Sequence, residues 1–226
     1  MKSQNKNAWD ASISGMPSDS DFKYAYATLV SYLKQKYDID VIETHPSSTE
    51  TFHGLSDDRV ADFDPYVSDG DGRSITLHKD IPAEFKVYSV LHLFGHILQN
   101  NESEANRKIS AEKLRSDPEY MSRLENYERC GSQYGLGLLI ACNQKKLIPW
   151  LSITFRADWQ FLQDVCHGRV TELPDPDADI SELLQARKEQ YFPAALEGED
   201  LTPLTLPKTI EEIGAIQHPD NGYTIL

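Results

Sequence analysis

Cysteine is scarce in this chain, with only Cys130, Cys142 and Cys166 among 226 residues and no C-x-x-C pair. That excludes a disulfide framework or a thiolate zinc site and points to packed thiols in a reducing compartment. Long apolar runs are missing too. The longest, residues 136–142, is far too short to span a bilayer. No apolar stretch follows the polar residues after Met1, so no secretory signal is expected and a cytoplasmic protein is. Positive charge is in deficit. Lys and Arg number 22 against 36 Asp and Glu, a net charge of -14, which disfavours nucleic acid or an anionic membrane as the direct partner. What remains is ordinary for a globular protein, with 39% hydrophobic and 26% charged residues. The length suits one domain with a full core plus an appendage, or two small domains.

Residues 1–20, rich in Ser, Asn and Asp with Gly15 and Pro17, read as a flexible lead-in. Asp19 or Ser20 can cap a helix over 21–37, whose Phe22, Tyr26, Leu29, Val30 and Leu33 form an apolar stripe. A short strand over 39–43 follows and ends before His45-Pro46. Loop signals at Asp64-Pro65 and Asp69-Gly70-Asp71-Gly72 separate short β-like pieces, the last over 73–77. Asp-Gly between extended pieces predicts an antiparallel hairpin. A central helix begins after Pro82, and 100–115 reads as an exposed connection with some helix. Asp117-Pro118 supplies a cap and a first-turn proline for a helix reaching 138–143. Pro149-Trp150 marks a break, and a helix near 156–167 ends at Gly168. After 171 the composition changes. Twelve acidic residues stand there against Arg187, Lys188 and Lys208, nine of the net fourteen negative charges, with half of the prolines. Only 180–190 looks helical. The expected organisation is a lead-in over 1–20, a domain over 21–170, and an acidic, proline-containing extension over 171–226. The fold class is α+β, a short antiparallel sheet packed on helices and mostly helical in its second half.

The central helix carries the chemistry. Phe85, Tyr88, Leu91, Phe94, Ile97 and Leu98 recur at three- and four-residue spacing, which places it in the core. His92 and His96 lie four apart, so both imidazoles leave one face a turn from each other, the spacing that offers two nitrogens to one metal ion. Two core histidines bonded to backbone or water are the alternative. In the helix after Pro118, Glu128 shares a face with Met121, Leu124, Gly131, Gly135 and Leu138, where an uncompensated carboxylate would be costly. It is the candidate third ligand, against a hydrogen bond to Tyr134 or an ion pair with an arginine. The two glycines permit a close helix approach. Glu125, four before Arg129, suits a surface ion pair instead. Glu102 and Glu104 fit a solvated face, and His45, His53 and His78 fall in the β-like region.

The stretch "SITLHKDIPAEFKVYSVLHLFGHILQ", followed by "ERCGSQYGLGLL" from Glu128, resembles the ImmA/IrrE family of zinc metallopeptidases over residues 21–145. In that family a strand and short linker precede an H-E-x-x-H helix, and a later helix bears glutamate in a pattern close to E-x-x-A-x-x-F-A-x-x-L-L. The resemblance implies a gluzincin-like domain with zinc on His92, His96 and Glu128, and by analogy a protein or peptide partner such as a helix-turn-helix regulator. Leu93 stands where the family has its glutamate. That position takes a proton from the metal-bound water, and losing such a base costs about a hundred- to ten-thousand-fold. The expectation is therefore a pseudo-peptidase that binds metal, peptide or partner, with no catalytic residue assigned. The alternatives are an active zinc peptidase with a relocated base, or a lipid-binding scaffold like the His-Asp-x-x-His proteins of ubiquinone biosynthesis.

Overall fold

A computed structural model describes residues 16–44, 67–68, 74–111, 114–170 and 180–197. The first helix, α1 (Asp19–Tyr37), is capped by Ser18 rather than by Asp19 or Ser20. The Ser18 side chain accepts from the Asp21 amide while the Asp21 carboxylate accepts from the Ser18 amide, a reciprocal capping box. Phe22, Ala25, Leu29 and Leu33 form its buried stripe. The chain leaves α1 through Asp38 in the left-handed region, φ 53°, and enters β1 (Asp40–Thr44).

β1 is joined by β2 (Val67–Ser68) and β3 (Ser74–His78) in a sheet of order β1-β3-β2. β2 and β3 pair antiparallel, Val67 opposite Leu77, as the hairpin signal predicts; the Asp-Gly residues themselves lie outside the described residues. The β1–β3 pair corrects the expectation of an all-antiparallel sheet. It is parallel, Val41 opposite Ile75. The long segment between them allows the crossover that a two-residue turn does not. Ile75 and Leu77, two apart on β3, are fully buried against the helices.

The helical part begins with α2 (Ala83–Glu102), buried nearly all round as its composition predicts, and continues into α3 (Glu104–Ala111). Asp117 accepts from the Tyr120 amide at 3.0 Å and starts α4 (Pro118–Ala141), the expected cap and proline pair. Pro149 does not break the chain. It occupies the first turn of α5 (Ile148–Cys166), where its missing N–H costs nothing, and Trp150 is fully buried.

α6 (Ile180–Glu197) runs further than the expected 180–190 and belongs to the core. Leu184, Tyr191, Phe192 and Ala195 are buried, and α6 lies along α5. Two ion pairs tie it down: Lys188 to Glu84 of α2 at 2.6 Å, and Arg187 to Asp158 of α5. The acidic region after 171 thus contains an amphipathic helix whose cations face inward. No helix among the described residues is long and apolar enough to cross a membrane.

Candidate metal centre

Among the described residues α2 and α4 form the most extensive helix contact, and glycine sets its closeness. A Cβ added to Gly95 would lie 2.0 Å from the Gly131 carbonyl oxygen, and one on Gly135 would lie 2.8 Å from the Leu91 carbonyl oxygen. The two backbones therefore touch where any side chain would hold them apart. Glu128, one turn before Gly131, is carried to the face of α2 that bears His92 and His96.

The three side chains converge on a single point. Glu128 Oε2 lies 3.2 Å from His92 Nε2 and 3.3 Å from His96 Nε2, and the two ring nitrogens are 2.9 Å apart. Donors around a tetrahedral ion at bond lengths of about 2.0–2.1 Å lie about 3.3 Å apart, so the triangle nearly has the dimensions of a coordination face. Two imidazole nitrogens and a carboxylate oxygen at this spacing need positive charge between them, as protons or as a metal cation. Among the described residues this is the one group of His, Cys, Asp and Glu side chains that could hold a metal ion. His96 is buried, while His92 and Glu128 keep a small accessible edge.

The surroundings fix the donors. His96 Nδ1 lies 2.9 Å from Gln99 Oε1, and the Gln99 amide in turn donates to the Tyr127 carbonyl at 2.9 Å. With its N–H spent on the Tyr127 carbonyl, the Gln99 amide presents its oxygen to His96. Nδ1 then carries a proton, so Nε2 faces the centre with a lone pair when the ring is neutral and with a second proton for Glu128 when it is charged. Aromatic rings hold both imidazoles: Tyr127 stacks on His96 at 4.5 Å and Tyr88 on His92 at 5.4 Å between centroids. The Tyr88 hydroxyl donates to Asp158 at 2.9 Å, and burial followed by the Asp158 charge keeps it protonated. Burial works to raise the pKa of Glu128. The His96 charge and hydrogen bonds from both imidazoles outweigh it, holding the carboxyl well below its ordinary range.

Each of the other candidates has different work. Glu125 pairs with Arg129 at 2.7 Å, as its spacing predicts. Tyr134 donates to Glu102 at 3.0 Å, not to Glu128, and Glu104 pairs with Lys108 on the surface. His78 closes β3 and accepts from the Asp80 amide, while His45 and His53 lie outside the described residues. Leu93 packs against the hydrophobic core. The thiols are unbridged, and burial, with the Glu128 charge behind it, pushes Cys166 up to about 11. Gln99 and Tyr127 are the residues that sequence reasoning passed over. Gln99 sits three after His96 and seven after His92, on the same helix face, and that spacing was the available signal.

Fold and site together define an α+β protein with a largely buried His-His-Glu donor set across two glycine-packed helices. No protein-family model matches the chain, and no curated protein or solved structure is significantly similar to it.

Proposed function

We propose that this chain is a metallopeptidase-like protein that binds zinc through His92, His96 and Glu128 and lacks the general base of an active enzyme. The observation that carries the reading is the donor triangle, with sides of 2.9–3.3 Å and the His96 tautomer set by Gln99. Two imidazoles and a carboxylate are a donor set that zinc favours, and three protein ligands leave a fourth position for water or another group. A zinc ion held by these three residues would supply Lewis acidity toward a carbonyl or water. The protein's part is to hold two lone pairs and one carboxylate in place and keep bulk water from the donors.

Proton transfer is the missing function. Leu93 has no group to accept a proton, and Asp158, linked to the site through Tyr88, is engaged by Tyr88 and Arg187. The resemblance to ImmA/IrrE peptidases supports a descendant that retains the metal centre for binding a peptide or protein partner. Elemental analysis of protein purified without chelator is expected to give about one zinc per chain, falling to none in His96→Ala. A metal-free natural protein that takes up no added zinc refutes the reading. Leu93→Glu is expected to gain peptidase activity over a natural chain that has none; strong cleavage by the natural chain would show a base elsewhere.

A further inference from the structure

A cleft lies between the first half of α2 and helices α5 and α6. Tyr88 is the wall it shares with the metal centre, since this side chain lines the cleft while its ring stacks on His92. Ile81, Phe85, Trp150, Leu184, Tyr191 and Phe192 supply its apolar and aromatic lining. Four charged side chains also border it, and they cancel. Glu84 accepts from Lys188 and from the Trp150 indole, and Asp158 accepts from Arg187 and from Tyr88, so each carboxylate oxygen has a partner within the protein. The ion pairs hold α6 in place as a wall. They do not offer a charge to a ligand.

We infer that this cleft takes a neutral apolar side chain of a peptide whose backbone lies toward the metal centre. The inference rests on the metallopeptidase-like reading for the peptide; the choice of an apolar, uncharged side chain rests on the cleft alone. Concave, largely aromatic sites with a few fixed polar groups are where apolar ligands lose most water-exposed area. α5 and α6 follow residue 145, beyond the stretch that carries the family resemblance.

The test uses the full chain, with and without added zinc, and four blocked peptides of the form acetyl-Gly-Xaa-Gly-Gly-amide. With Phe or Leu at Xaa, binding is expected to be about ten- to a hundredfold tighter than with Gly or Lys, the effect of removing one apolar side chain from water. The Trp150 indole N–H resonance should shift on binding, and Ala157→Phe, which fills the cleft, should abolish the preference. If that variant fails to fold, the Trp150 resonance of the natural chain decides alone. Equal affinities for the four peptides, or a preference that leaves Trp150 unmoved, overturns the inference, and so does binding of free indole without binding of any peptide. His92→Ala separates the two proposals. Zinc lost with the preference kept supports the cleft, and a natural chain that binds no zinc but keeps the preference refutes only the metal reading. Zinc bound without any preference refutes only the cleft.

Discussion

Replacing Gln99 by leucine perturbs the candidate metal centre without touching a donor atom. Gln99 is 2% exposed and fills its site with two hydrogen bonds of 2.9 Å, one with His96 Nδ1 and one to the Tyr127 carbonyl. Leucine has a similar volume, so the packing cost is small. The polar cost is not. The His96 N–H loses its acceptor in a buried place, worth about 1–3 kcal/mol, while the Tyr127 carbonyl keeps its helical partner and loses only a second bond. Without that acceptor the imidazole is free to change tautomer or rotate, and second-shell losses of this kind typically weaken metal binding about ten- to a hundredfold. Competition for zinc against a chromophoric chelator at fixed pH gives the affinity, and urea unfolding of the metal-free variant gives the stability separately. A folded Gln99→Leu protein whose zinc affinity stays within about threefold of the natural one would refute the tautomer argument.

Three further expectations follow from the same geometry. Gly95→Ala puts a methyl group 2.0 Å from the Gly131 carbonyl oxygen and should force α2 and α4 apart, lowering stability by about 1–3 kcal/mol or more in chemical unfolding and weakening metal uptake with it; unchanged stability would refute the backbone contact. Burial pushes Cys142 and Cys166 up to about 11, so both thiols should label roughly a hundredfold more slowly at pH 8 than an ordinary thiol, read by a colourimetric disulfide reagent. Glu128 has a folded-state pKa below its ordinary value of 4.5, so it stabilises the metal-free fold above that pH and the contribution fades as pH falls through the folded value. Glu128→Gln should therefore be most destabilising above pH 4.5 and less so in acid; an equal penalty at both ends would refute it.

The site was more legible in the sequence than the helix boundaries. His92 and His96 declare themselves through a fixed helical spacing, and Glu128 through the improbability of a carboxylate on an otherwise apolar, glycine-bearing face. Gln99 stayed hidden because a polar residue near a helix end has many ordinary uses; only its partners distinguish it. The parallel pairing of β1 with β3 was not legible, since the turn chemistry at Asp-Gly governs its own hairpin and says nothing about a strand far upstream. Pro149 misled for a different reason. Proline breaks a helix interior and starts a helix equally well, and the choice depends on which flanking segment packs, here through Trp150. Over 171–226 the surplus of acidic residues masked Leu184, Tyr191 and Phe192 of α6, because an average over the segment hides a periodic face.

The donors belong to two helices that meet only when Gly95 and Gly131 are in contact, so an ion held by all three acts as a rivet through that seam. An unfolded chain keeps the two histidines near one another and loses the glutamate. A metal ion bound there would therefore select the docked state, and saturation at a hundred times the dissociation constant would add about 2.7 kcal/mol to stability. By the same linkage, any ligand or substitution that tightens the α2–α4 seam would raise the affinity for such an ion, and its affinity would gauge how firmly the two helices are docked.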